Sequence, residues 1–351
     1  MALFSVKNVS LRGIAAAVPK QSESNHDYDW ITEKERSLLI KTTGVENRRK
    51  APPGFCTSDY CFEAATKLLR DLKWNSADIG LVVFVSQSPD YFLPATSIIL
   101  QNRLGLPQTS LAFDILLGCS GFVYGLSVVS NMMSNTGIKK ALLLTGDVST
   151  ISVSYQDKST YPLFGDGGTA TALEWNENAS PVYFNLQSDG SGYEAITIKD
   201  GACRNPMSKA SEEMEEVEKG VIRRRRDLSI KGMDVFNFSV TKVPPNVKET
   251  LAYAGWSKTD PDFFVMHQAN LLLNETVRKV LGIEAARVPY SLKDFGNTSS
   301  ASIPLTMVTQ IADKLRNAKC KLMFSGFGVG LSWGTVLLET DNLVVSELIE
   351  I

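Results

Sequence analysis

The chain has 351 residues, with 36 lysines and arginines against 38 aspartates and glutamates, and 44% of its residues are hydrophobic. That balance leaves no general basic footprint for nucleic acid, and no apolar run approaches the roughly 18 residues that span a bilayer. The length suits two domains or one large α/β unit, so the expectation is a soluble, cytoplasmic globular protein with no nucleic-acid or membrane partner.

The N-terminus, MALFSVKNVSLRGIAAAVPK, alternates like a strand and lacks the charged start and apolar block of a targeting segment. A polar stretch with His26 and Trp30 follows, and His26 is expected on the surface. ITEKERSLLIKTTGV reads as a helix, Ala51-Pro52-Pro53-Gly54 as a turn, and Ser58 to Leu72 as an amphipathic helix with Phe62, Ala65, Leu68 and Leu69 on one face. Five cysteines, at Cys56, Cys61, Cys119, Cys203 and Cys320, are odd in number and suit a reducing compartment. Cys56 and Cys61 have the wrong spacing for a zinc pair, and the chain has two histidines in all.

From Trp74 a unit begins that recurs. The first copy runs WNSADIGLVVFVSQ, a helix ending at Leu104-Gly105-Leu106, a turn at Cys119, then KKALLLTGD. The second runs WSKTDPDFFVMHQ, a helix ending at Leu281-Gly282-Ile283, a turn at Asn297, then KCKLMFSGF. Gly105 to Cys119 is 14 residues and Gly282 to Asn297 is 15; Cys119 to Gly146 is 27 and Asn297 to Gly326 is 29. Matched landmarks in one order indicate an internal duplication, with halves at 1–175 and 176–351. Strands that are apolar throughout, such as LVVFV and ALLLT, imply sheets covered on both faces.

Residues 111–134 set a strand, a small-residue turn with Cys119 and a helix end to end. The unpaired N–H groups and dipole of a helix start can stabilise a thiolate and an oxyanion, which suits a nucleophile; a buried structural cysteine fits the same pattern. Asp166-Gly167-Gly168 reads as turn chemistry before a strand. In 207–227 an acidic run meets Arg223 to Arg226, which reads as a self-paired surface helix or flap, or as a docking patch for an acidic carrier.

His267 ends the strand DFFVMH, and Cys119 and Asn297 are expected at strand-to-helix turns, where ligands gather beyond strand carboxyl ends. Cys119 can take an acyl group as a thioester, while His267 and Asn297 can donate hydrogen bonds to the enolate left when a malonyl thioester loses carbon dioxide. Each has a plainer reading: a satisfied structural histidine and a helix-capping asparagine. SGFGVGLSWG at 325–334 joins two strand-like runs, so it is a poor phosphate motif; its amides, notably that of Val329, can complete an oxyanion hole.

GCSGFVYGLSVV around Cys119, PLFGDGG, MHQANL around His267, GNTSSASIP around Asn297 and GFGVGLSWG follow one another in an order that resembles the β-ketoacyl-acyl-carrier-protein synthase III group of thiolase-like condensing enzymes. The resemblance spans about residues 5–340. It implies a thiolase-like five-layered αβαβα fold from two duplicated halves, a homodimer, an acyl carrier protein partner, and coenzyme A or carrier-protein thioesters as substrates without a separate cofactor or metal. It also implies Cys119 as nucleophile, His267 and Asn297 as the decarboxylation pair, Phe327 as the aromatic beside them, and Asn270 as a supporting residue. A non-condensing acyltransferase to oxygen or nitrogen, and a non-catalytic scaffold, are the alternatives.

Departures accompany the resemblance. Leu38 and Thr42 stand where family members present Trp and Arg toward the coenzyme A nucleotide, and Lys158 where a second arginine is found. Leu272 replaces a basic residue of the carrier-facing helix, although Arg278 and Lys279 remain. Leu93 falls near the position that reaches across the dimer to close the acyl pocket, so it is expected there. Together with the long 207–227 segment these point to a specialised acyl or polyketide pathway.

Overall fold

The computed structural model describes residues 2–351. Two β-sheets lie at its centre. The first has seven strands: Val9–Val18 is flanked by Gly167–Trp175, followed outward by Lys140–Asp147, Leu81–Val85 and Leu111–Ile115, with Val344–Val345 and Ile349–Glu350 on its other side. The second has five, in the order Ala2–Val6, Val182–Ser188, Ser332–Asp341, Lys319–Gly328, Phe263–Met266. Each terminus therefore pairs in the sheet built mainly by the other end of the chain.

The duplication is visible in the ladders. Leu81–Val85 runs parallel to Lys140–Asp147, with Val83 opposite Leu143, and Phe263–Met266 runs parallel to Lys319–Gly328, with Val265 opposite Phe324. In each sheet the next strand is antiparallel.

Helices form the other three layers. Gly121–Asn135 carries Phe122, Val123, Leu126, Val129 and Met133 into a core shared with Leu143, Phe184, Phe324 and Val336 of both sheets, and Ser302–Gln310 adds Ile303, Leu305 and Met307. Such helices are apolar on more than one face because both faces meet a sheet, and each fully buried large side chain contributes about 1.5–3 kcal/mol. Thr57–Leu72 and Thr96–Arg103 cover the outer face of the first sheet through Tyr60, Leu68 and Leu100. Gly232–Ala254 and Leu271–Leu281 cover the second through Val247, Leu251 and Val277. The result is the αβαβα layering.

The 207–227 segment contains no α-helix. A short 3₁₀ turn at Lys209–Glu212 leads into a hairpin, Glu215–Glu218 with Val221–Arg223. Its four arginines are taken by carboxylates of the same chain: Arg223 by Asp157 at 2.8 Å, Arg224 by Asp227 at 2.9 Å, Arg225 by Asp200 at 2.9 Å and Arg226 by Glu212 at 2.7 Å. The acidic–basic composition favours a helix locally, but pairing with the 156–157 loop overrides it: Ile222 N–H donates to the Gln156 carbonyl at 2.9 Å, and Val221 bridges Asp157. His26 is exposed.

Candidate active site

Cys119 lies in the turn between Leu111–Ile115 and the helix Gly121–Asn135. Behind it runs the end of Lys319–Gly328. A Cβ on Gly328 would stand 2.5 Å from Cys119 Cβ and 2.8 Å from its Sγ, so only glycine lets this backbone pass so close. The same approach brings the Val329 N–H beside the thiol.

The expectation of a depressed thiol pKa is not met. Burial pushes Cys119 up to about 11, and the negative charge of Asp147 adds to this while the Val329 N–H opposes it. Withdrawal from water outweighs the helix start, so the thiol rests protonated at neutral pH.

His267 follows Phe263–Met266 and is buried, its N–H donating to the Ser325 carbonyl at 2.8 Å. Its Nδ1 is 2.8 Å from Ser302 Oγ. Desolvation pushes the imidazole down to about 3, against an opposing Ser299 backbone hydrogen bond, so it is neutral across the physiological range. The Phe327 ring meets it edge-on with centroids 5.7 Å apart.

Asn297 is not at a strand end. It follows the single turn Leu292–Phe295, which Gly296 ends at φ +62°. Its backbone is gripped by the Leu163–Gly165 turn: Asn297 N–H donates to the Leu163 carbonyl at 2.9 Å, and Gly165 N–H donates to the Asn297 carbonyl at 3.1 Å. The PLFGDGG motif thus seats a residue of the other half of the chain. Thr298, not Asn297, is the N-cap of the short 3₁₀ turn that follows; Asn297 Oδ1 accepts the Ser299 N–H at 2.9 Å in a local turn, which orients the side chain and leaves its amide Nδ2 free.

Cys119, His267 and Asn297 line one cavity of about 370 Å³, together with Thr42, Asn270, Phe327 and Val329. Asn270 also caps Leu271–Leu281, its Oδ1 accepting the Leu273 N–H at 2.9 Å. Two residues of the sequence-derived site stand outside the cavity. Lys158 reaches Glu35 at 3.4 Å, and Leu93 is 86% exposed on a surface loop.

The structure adds residues that motif reading missed. Asp147, buried at the end of its strand, accepts from Ser86 Oγ at 3.0 Å, Gln87 N–H at 2.7 Å and Ser300 Oγ at 3.2 Å, tying both halves together beneath the site. Burial raises its pKa, and the donors oppose that. Ser299, held at φ +50°, lies beside both Asp147 and the Cys119 thiol and opposes the rise in pKa that burial imposes on each. Only the position of Asp147 at the end of ALLLTGD hinted at this in sequence.

Residues 113–190 match the family description 3-oxoacyl-[acyl-carrier-protein] synthase III, and residues 251–340 match its C-terminal part. The chain is 33% identical over 327 residues to β-ketoacyl-[acyl-carrier-protein] synthase III 2 of Streptomyces coelicolor, covering 92% of this chain and 91% of that protein. It belongs to the β-ketoacyl-acyl-carrier-protein synthase III family. The crystal structure of a 3-oxoacyl-(acyl-carrier protein) synthase from Burkholderia xenovorans superposes with a TM-score of 0.94 at 35% identity, covering 99% of both chains. The priming β-ketosynthase of the R1128 polyketide biosynthetic pathway superposes with a TM-score of 0.81 at 26% identity, covering 96% of this chain and 98% of that one. The β-ketoacyl synthase III fold and its condensing, transferase chemistry thus hold for this chain. Among its described residues, no helix is long and apolar enough to cross a membrane.

Proposed function

We propose that this β-ketoacyl synthase performs decarboxylative Claisen condensation between an acyl group held on Cys119 and a malonyl unit carried by an acyl carrier protein, with Cys119, His267 and Asn297 as its catalytic residues. In the first half-reaction Cys119 Sγ bonds to the acyl carbon, the donor's carbon–sulfur bond breaks, and the thiol proton ends on the departing thiol. The Val329 N–H beside Sγ suits the oxyanion of that step. In the second, the malonyl carbon–carboxylate bond breaks, carbon dioxide leaves, and its electron pair forms an enolate. His267 Nε2–H and Asn297 Nδ2–H receive the enolate oxygen; its carbon then attacks the acyl carbon and expels Cys119 as thiolate.

The observation that carries this reading is a neutral imidazole and an amide with its oxygen already occupied, sharing one apolar cavity with the thiol. Uncharged donors stabilise an enolate without holding the malonyl carboxylate as a salt, so decarboxylation gains and the ground state does not. No separate cofactor enters this scheme. We place the enzyme in the cytoplasm as a homodimer, with the edge strand Leu111–Ile115 facing a second copy.

Intact mass spectrometry of the enzyme exposed to acyl thioesters, then chased with malonyl-carrier, tests the assignment. Cys119→Ala should prevent loading, whereas His267→Ala and Asn297→Ala should load and then fail to condense. Acylation that persists until an alcohol or amine is supplied would replace condensation by simple acyl transfer. Equal loss of loading in all three variants would overturn the separate roles.

A further inference from the structure

The lining of the cavity does not suit a nucleotide. Among the described residues no lysine or arginine lines it, and its one lining carboxylate is Asp147. Its outer wall is apolar: Ile198, Met233 and Leu272 are lining residues and each is about half exposed or more. Leu38 lies one helical turn from the lining residue Thr42 and is also exposed. Coenzyme A ends in a diphosphate and a ribose phosphate, whose charges need cations or a polar cradle.

One cation beside this rim is already engaged. Lys158 adjoins the lining residue Ser159, but it reaches Glu35 at 3.4 Å and lies under the tip of the 215–223 hairpin. There the Gly220 carbonyl accepts from Lys158 N–H at 3.3 Å and from Trp30 Nε1–H at 3.2 Å. A Cβ on Gly220, which sits at φ +79°, would stand 3.0 Å from Lys158 Nζ, so hairpin and lysine are in direct contact. The arginines that follow are paired with Asp157, Asp227, Asp200 and Glu212. The hairpin thus covers Trp30 and Lys158 on this side of the rim.

We infer that this enzyme takes its acyl donor, and not only its malonyl unit, from a carrier protein, recognising the thioester arm and acyl chain and gaining nothing from a nucleotide. The inference rests on the condensing reading above. In that reading the same cavity already admits a carrier-borne arm in the second half-reaction, so one mode of delivery serves both. Exposed Lys41 and Lys199, adjoining the lining residues Thr42 and Ile198, set positive charge outside an apolar mouth, which complements an acidic carrier.

The test compares kcat/KM for acylation of Cys119 by one acyl group presented on coenzyme A, on pantetheine and on an acyl carrier protein, read by intact mass at early times. The expected result is coenzyme A and pantetheine within about threefold of one another and the carrier at least about tenfold above both. Each engaged phosphate would add roughly tenfold to the coenzyme A donor, so a preference of that size over pantetheine, or a carrier no better than pantetheine, overturns the inference. Loading by none of the three would instead remove the condensing reading on which it rests.

Discussion

At the scale of single residues, two protonation states decide how the site works. A thiol pushed up to about 11 is protonated at pH 7, so alkylation of the free enzyme by iodoacetamide should quicken roughly tenfold per pH unit from pH 7 to 10 without levelling off. A plateau near pH 7 would show that the helix start dominates after all. His267, pushed down to about 3, keeps its neutral form as pH falls. Malonyl decarboxylation should therefore not decline between pH 8 and pH 6 through this residue, whereas an imidazole of ordinary pKa would be more than half protonated at the lower end. The proposed scheme needs the histidine proton on Nε2, and Ser302 can hold it there. Its oxygen takes the Gln268 N–H at 3.4 Å and lies 2.8 Å from Nδ1, to which it can donate its own proton. Ser302→Ala should load Cys119 normally but decarboxylate roughly tenfold more slowly, with recovery in Ser302→Thr. An unchanged decarboxylation rate would reduce Ser302 to packing.

At the scale of elements, the site is made where segments from distant parts of the chain meet. The Cys119 turn depends on the end of Lys319–Gly328, and Gly328→Ala should cost more than tenfold in loading, because a methyl there must displace Cys119 itself. Stopped acylation assays on the folded variant measure this, and a normal rate would mean that the turn is freer than its contacts imply. The hairpin after the acidic run is anchored by Arg223 on Asp157, a carboxylate with no exposure. Arg223→Ala should destabilise the protein by about 3 kcal/mol, as expected when a buried charge loses its partner, and chemical denaturation would show it. These elements also mark how far the sequence could be read. The repeated strand–helix–turn units and their glycine landmarks were legible because they recur at fixed spacing, and the cysteine and histidine because so few residues compete for their roles. The hairpin was not: its Glu and Arg content suits a helix, and only the 156–157 loop, some 65 residues away, makes it a strand pair. Asp147 and Ser300 meet across 153 residues, and single serines show no period by which to find them. Asn297 was expected after a strand by analogy with Cys119, but its copy of the turn is held by the Leu163–Gly165 backbone instead.

At the scale of the whole molecule, the two sheets and the helices between them make a rigid block with its thiol facing an apolar cavity, and one surface is left conspicuously apolar. The first sheet ends on Leu111–Ile115, whose outer edge has no neighbouring strand among the described residues. Phe92, Leu93 and Leu116 stand 88%, 86% and 73% exposed. An open edge of this kind invites pairing with a second copy. Sedimentation should give twice the chain mass, and Leu116→Asp should shift the species toward the monomer; a monomeric wild-type protein would refute the proposed dimer. The central claim is that His267 and Asn297 act on the malonyl unit and not on the donor. Release of labelled carbon dioxide from carboxyl-labelled malonyl-carrier by enzyme already acylated on Cys119 tests it most directly. Wild-type enzyme should release one equivalent per acyl group, with a β-keto product, while His267→Ala and Asn297→Ala, equally acylated, should be slower by roughly 100-fold or more. Release at the wild-type rate from either acylated variant would contradict the account.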